Sequence, residues 1–170
     1  MDRIEPRIYV GTYGKYNNGS IAGAWLSLDE HDTEALFYAA AKELHKNEHD
    51  PEFMFQDCEG FPRELYGESH LDERLWEWLE LGHGNREIVT AWLEVNGGTD
   101  SFGYIKDTYV GHWESWDEYV SDYIETTGLL ERVPEEVLPY FDYESYGRDL
   151  SHDYSVADAD SGGVHVFRNQ

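Results

Sequence analysis

Residues 7–28, RIYVGTYGKYNNGSIAGAWLSL, decide the fold class. Two β-rich runs, 7–13 and 21–28, flank Asn17-Asn18-Gly19. Those three residues tolerate positive φ, so the stretch predicts a hairpin. A helical period follows at once. Over 33–46, Leu36, Phe37, Ala40, Ala41 and Leu44 fall on one face of a 3.6-residue repeat. Asp29, Glu30, Asp32 and Glu34 suit the N-terminal end of the helix dipole, and Lys42, His45 and Lys46 suit its C-terminal end. Pro51 ends the helix, and 52–57 (EFMFQD) reads as a third strand. The opening 60 residues therefore spell a ββαβ unit, and the fold class is α+β.

Gly60 to Pro62 marks a boundary, and helical patterning resumes beyond it. Residues 71–81 place Leu71, Leu75, Trp78 and Leu79 on one face, with Trp76 beside it. Gly82-His83-Gly84 interrupts the chain, and 86–95 (REIVTAWLEV) forms another short helix closed by Asn96-Gly97-Gly98. A third part begins near Asp100, where 101–110 is weakly patterned and compatible with a helix. Ser115-Trp116-Asp117-Glu118 is a capping box, its hydroxyl and carboxylate three residues apart. The helix it opens turns Trp116, Tyr119, Val120, Tyr123 and Ile124 inward and Asp117, Glu118, Asp122 and Glu125 outward, and Gly128 stops it. A shorter helix is expected from Pro134 and another over 142–151. The runs 153–158 and 163–168 then close the chain as a hairpin. The expected layout has three parts, 1–61, 62–100 and 101–170.

Charge sets the functional question. The 170 residues carry 36 Asp+Glu against 12 Lys+Arg, a net −24, with aromatics at 15%. An acidic disordered chain is poor in aromatics, so this one folds. Residues 1–60 hold 12 acids and 5 bases, 61–100 hold 9 and 3, and 101–170 hold 15 and 4. The charge thus covers the whole fold and is densest in the last third. A compact chain of this length spans roughly 40 Å. Duplex DNA carries one charge per ~1.7 Å, hence about 24 over that length. The linear charge densities match. Generic solubility and salt adaptation also yield acidic proteins, and the presence of only four lysines (Lys15, Lys42, Lys46 and Lys106) suits a halophile too. The single Cys58 excludes an intrachain disulfide and fits a reducing cytoplasm. MDRIEPRIYV lacks the apolar core of a signal peptide, and no run approaches a membrane span. Direct nucleic-acid binding is opposed by the charge.

Catalytic candidates are thin. His45-Lys46-Asn47-Glu48-His49 matches H-x-x-E-H, but it straddles a helix end two residues before Pro51 and brings no third zinc ligand. Asp158-Ala159-Asp160-Ser161-Gly162 begins like a calcium loop, yet Asn169 stands where the bidentate Glu belongs, so a turn is the simpler reading. Carboxylates with aromatics admit a glycosidase, although no acid pair is singled out. P-loop, G-x-G-x-x-G, G-x-S-x-G and C-x-x-C motifs are absent. Cys58 has no local basic neighbour that would activate it. The expectation is a protein without catalytic residues, cofactor or metal.

What remains is the surface. A helix with an aromatic inner face and an acidic outer face spaces carboxylates by about 5–6 Å, comparable to phosphates along a strand. Asp72, Glu73, Glu77, Glu80, Glu87, Glu94, Asp107, Glu114, Asp117, Glu118, Asp122 and Glu125 are the distributed candidates for contact with a basic partner.

Residues 129–150, LLERVPEEVLPYFDYESYGRDL, resemble the antirestriction motif of the ArdA family. RIYVGTYGKYNNGS (7–20), ELHKNEHDPEFMFQD (43–57), WEWLELGHGNREIVTAWLEVNGG (76–98) and VHVFRN (164–169) are similar to the family as well, in the same order and over nearly the whole chain. The resemblance implies an elongated, three-part, dimeric protein encoded on mobile elements. It implies imitation of bent duplex DNA, binding to the methyltransferase core of type I restriction–modification enzymes and occlusion of their DNA groove. By similarity, Leu129, Leu130, Pro134, Glu135, Tyr140, Phe141, Asp142, Tyr143, Glu144, Arg148, Asp149 and Leu150 form the antirestriction motif or a dimer seam. Val133, Pro139 and Gly147 depart from the pattern, and Pro139 and Gly147 are expected to loosen the local helices. Apart from the resemblance, two alternatives stand: a halophilic acidic enzyme such as a carbohydrate hydrolase, and a general acidic adaptor for basic proteins.

Overall fold

The computed structural model describes residues 4–98 and 101–169. It is an α+β protein with two small antiparallel sheets, each of three strands. The chain divides into two compact units, Met1–Gly82 and His83–Gln170. The boundary expected near Asp100 lies outside the described residues.

In the first unit β1 (Arg7–Thr12) lies between β2 (Ala24–Ser27) and β3 (Phe53–Glu59), and Ile8 pairs with both Leu26 and Cys58. Alternation sends Ile8 and Val10 into the core with Leu28 and Phe55. The expected hairpin is present, β1 pairing antiparallel with β2, and its connection is longer than a two-residue turn. A one-turn helix α1 (Tyr13–Asn17) opens on the Thr12 side chain, which accepts from the Lys15 amide, and Gly19 supplies the positive φ after it. Residues 21–23 stay out of the strand.

Helix α2 (Glu34–Leu44), capped by Thr33, packs Phe37 on Phe55 at 6.0 Å between ring centroids and on Trp76 at 5.9 Å. Leu36, expected on the inner face, is half exposed, because the buried stripe runs through Phe37, Ala41 and His45 instead. Trp76 belongs to α3 (Arg74–Glu80), which starts later than the 71–81 expected and buries Leu75, Trp78 and Leu79.

His45 stands at the C-terminal end of α2, as expected, and is fully buried there. Its Nε2–H donates to the Val10 carbonyl at 3.1 Å, so Nδ1 accepts from Lys15 Nζ at 2.6 Å. Lys15 also pairs with Glu48 at 3.2 Å, and Glu48 accepts from the Thr12 hydroxyl at 2.9 Å. One polar chain thus ties α1 and the end of α2 to β1. It accounts for the H-x-x-E-H residues as a structural network, with His49 left on the surface.

The second unit begins with α4 (His83–Asn96), which runs through Gly84 where a break was expected and ends at Gly97 with φ +68°. Next come α5 (Phe102–Thr108), β4 (Tyr109–Trp113), α6 (Trp116–Thr126), α7 (Tyr143–Leu150), β5 (Tyr154–Asp158) and β6 (Val164–Arg168). The closing hairpin is present, and Gly162 and Gly163 carry its turn with φ of +92° and +84°. Strand β4, not foreseen, adds to it in the order β4-β6-β5. Central β6 is buried on both faces. His165 faces α4 through Glu87, as the next alternate residue, Phe167, faces Tyr109. Val166 lies on the other face in a cluster with Tyr119 of α6, Tyr154, Trp113, Trp116 and Leu150.

No α-helix follows Pro134. Turns lead to a 3-10 turn, Leu138–Tyr140, with Pro139 at its start, where the missing N–H costs nothing. Nor does Gly147 loosen α7. The helix is continuous across it, and Gly147 is its buried residue.

Two outcomes test the first unit. Replacing His45 with Leu removes a buried partner from Lys15 and Val10, and should lower stability by about 1–3 kcal/mol in urea unfolding. Unchanged stability would show that the polar chain is incidental. Burial pulls the Glu48 carboxyl upward, but the Thr12 hydroxyl and the Lys15 ammonium outweigh it and leave the group below the ordinary carboxylate range. A depressed folded value stabilises above the unfolded one, about 4.3, and that contribution vanishes as pH falls through the folded value. Between about pH 5 and pH 3 the wild type should lose stability more steeply than Glu48→Gln.

Candidate partner-binding site

Helix α6 shows how this sequence holds carboxylates outward. Its N-cap Ser115 Oγ accepts from the Glu118 amide at 3.2 Å. The reciprocal half of the expected box is displaced by one residue, since Glu118 Oε2 accepts from the Glu114 amide at 2.7 Å. Inward, Tyr119, Val120 and Ile124 are buried. Trp116 and Tyr119 stack at 5.2 Å, and Trp113, Tyr123 and Tyr154 surround Tyr119 at 4.6, 6.0 and 5.3 Å. Burial, together with the hydrogen bond to Tyr154, pushes the Tyr119 phenol far above its ordinary value, so it stays protonated. Asp117, Glu118, Asp122 and Glu125 are exposed on the opposite side. Pairs three and four residues apart stand about 5–6 Å from one another.

Only part of this distribution serves helix stability. Asp117 and Glu118 favour the N-terminal dipole, but Glu125 lies in the last turn, which holds no basic residue. Residues 107–131 contain seven acids and no Lys or Arg, a run whose meaning lies in the missing bases rather than in any motif. Glu125 is kept where the helix would be better without it.

Not every acid expected at the partner surface is equally available. Glu73, Glu77, Glu80, Glu94, Asp107 and Glu114 are exposed, as are the four on α6. Asp72 is bound by Arg74 through two hydrogen bonds of 2.9 and 2.7 Å, which hold its carboxyl below the usual range. Glu87 accepts from His165 Nε2 at 3.2 Å, and His165 Nδ1 therefore accepts from the Tyr109 hydroxyl at 3.0 Å. Both acids are about one-third exposed and fasten local structure. The role of Glu87 was not legible, since its partner lies 78 residues away, whereas Arg74 stands only two residues from Asp72 and was a signal that could have been used.

The segment 129–150 is mostly surface. Leu129, Val137 and Tyr143 are about half exposed and Tyr140 is 84% exposed. Pro134, Glu135, Glu144, Arg148 and Asp149 are exposed, and Leu130, Phe141 and Leu150 are partly covered. Asp142 caps α7 by accepting from the Ser145 amide at 2.9 Å, and that bond lowers its carboxyl. Leu150 packs under α6 on Tyr119, Tyr154 and Val166.

Among the described residues no group of three or more His, Cys, Asp or Glu is arranged to hold a metal ion. Asp158 and Ala159 lead into the β5–β6 turn, closed by the Ala159 amide on the Gly163 carbonyl at 3.0 Å. Cys58 is buried, which pushes its thiol up. No helix among the described residues is long and apolar enough to cross a membrane.

Comparison with curated proteins returns no match. The family model described as Antirestriction protein (ArdA) matches residues 8–165, from β1 into β6. With that match covering residues 8–165 of 170, the chain belongs to the ArdA family of antirestriction proteins.

Proposed function

We propose that this antirestriction protein acts without catalysis or cofactor, as an acidic imitation of duplex DNA. It occupies the DNA groove of a type I restriction–modification enzyme, on its methyltransferase core, in the cytoplasm of a cell receiving a mobile element. The observation that carries the reading is the outer face of α6, where carboxylates stand exposed over a buried aromatic layer. Lysines and arginines that neutralise phosphates can be engaged by fixed carboxylates at comparable spacing, and opposite fields speed the encounter. Glu73, Glu77, Glu80, Glu94, Asp107 and Glu114 extend the contact, with Asp72 and Glu87 holding the surface in place.

The same reading makes 129–150 a seam between two copies. Leu129, Val137, Tyr140 and Tyr143 expose apolar area that a soluble monomer gains nothing by showing. A dimer doubles the reach and adds avidity on a symmetric enzyme.

Titrated against labelled duplex on a type I methyltransferase core, the protein should displace DNA stoichiometrically at ordinary salt, where it is itself folded. Neutralising any single exposed acid should change inhibition little, and neutralising eight or more in one unit should weaken it at least about tenfold. Loss of all inhibition from one such change would contradict a distributed surface. For the seam, Tyr140→Asp should shift sedimentation from dimer to monomer without lowering the melting temperature, and an unmoved dimer would place the interface elsewhere.

A further inference from the structure

Gly147 lies inside the segment that resembles the antirestriction motif, yet it faces inward, against α6. Its carbonyl accepts from the indole Nε1–H of Trp116 at 3.1 Å and from the Ser151 amide, which fills both acceptor positions. A Cβ at residue 147 would lie 3.1 Å from Val120 Cγ2, 3.5 Å from its Cγ1 and 3.6 Å from Trp116 Nε1. Glycine is otherwise costly inside a helix, by roughly 1 kcal/mol against alanine. Here the bare backbone lets α7 come close enough for the indole to reach it. Trp116 is the first residue of α6, directly before Asp117 and Glu118, and Val120 is a turn further on. Gly147 thus meets α6 at its first residue and one turn on, beside Asp117 and Glu118, while Leu150 of α7 packs on Tyr119 of the same helix.

We infer that Gly147 and Trp116 are positioning residues for partner recognition: α7 fixes the orientation of α6, and with it the directions in which Asp117, Asp122 and Glu125 are presented. The segment 129–150 then supports inhibition from within one copy, in addition to any seam it forms with another. The inference rests on the reading of α6 as a partner-binding face. Its mechanical basis is that a close-packed contact transmits a displacement of a few tenths of an ångström rather than absorbing it.

The test is a double-mutant cycle scored as competition with duplex DNA for a type I methyltransferase core. Gly147→Ala and Trp116→Phe are each made in the wild type and in a background carrying Asp117→Asn, Asp122→Asn and Glu125→Gln. Trp116→Phe keeps an aromatic ring but removes the indole donor and part of the ring's bulk, so, with its folding checked, it decides the matter if Gly147→Ala does not fold. The expected result is a loss of inhibition of about fivefold in the wild-type background, shrinking to none in the neutralised one, as for groups that act through each other. A merely structural role would cost the same in both. Equal losses in the two backgrounds, no loss from folded variants, or a neutralised background that inhibits as well as wild type would each overturn the inference. Wild-type protein that fails to compete at all would bring down the functional reading itself, a separate outcome.

Discussion

Mutual repulsion among 36 acids facing only 12 Lys and Arg is the constraint on which the rest of the structure depends. A charge of −24 on 170 residues opposes compaction. The opposing force comes from interiors unusually rich in rings. Phe37, Phe55 and Trp76 build one unit, and Trp113, Trp116, Tyr119 and Tyr154 build a face of the other. Such side chains bury 150–250 Å² each and add roughly 0.5–1.5 kcal/mol per well-oriented pair. Small units can therefore stay folded while their surfaces remain overwhelmingly of one sign.

The same economy governs polar groups. Bases are spent on specific fastenings: Lys15 on Glu48 and His45, Arg74 on Asp72, Arg7 on Glu59 at 2.6 Å and over the Trp25 ring at 4.6 Å. Histidines play the part elsewhere taken by cations, with His165 joining Glu87 to Tyr109 across the sheet. Acids outside these fastenings stay at the surface even where the helix dipole disfavours them, as Glu125 does on α6. On the proposed reading, such acids are retained for a basic partner rather than for the stability of the helix.

Much of this was legible because several local signals agreed. Around α6, Ser115 marks the start, Gly128 with φ +64° marks the end, and the aromatic period between them gives the buried face. The closing hairpin and the Phe37–Ala41 stripe were legible in the same way. What failed depended on distant partners or on one competing residue. Strand β4 is five residues long with an irregular register, and only β6, over 50 residues later, makes it a strand. The burial of His45 was not legible because nothing local shows that the Val10 carbonyl and Lys15 come to meet it. Pro134-Glu135-Glu136 signals a helix start, but Pro139 removes the amide that would continue it. Gly147 was read by its propensity, while its role comes from Trp116, 31 positions away. The outward acids were legible as types and positions; Glu87 could not be separated from them without His165, while the basic neighbour Arg74 was a local sign for Asp72 that was passed over.

If the protein competes for the groove that DNA uses, its affinity should carry DNA's electrostatic signature. The most direct measurement is the equilibrium constant for its binding to a type I methyltransferase core across a salt series, with a duplex of the enzyme's target sequence measured alongside. The account predicts a steep fall, at least about tenfold between 50 and 200 mM salt, parallel in sign to that of the duplex. An affinity nearly independent of salt would mean that apolar contacts carry the complex, and would contradict imitation of DNA by charge.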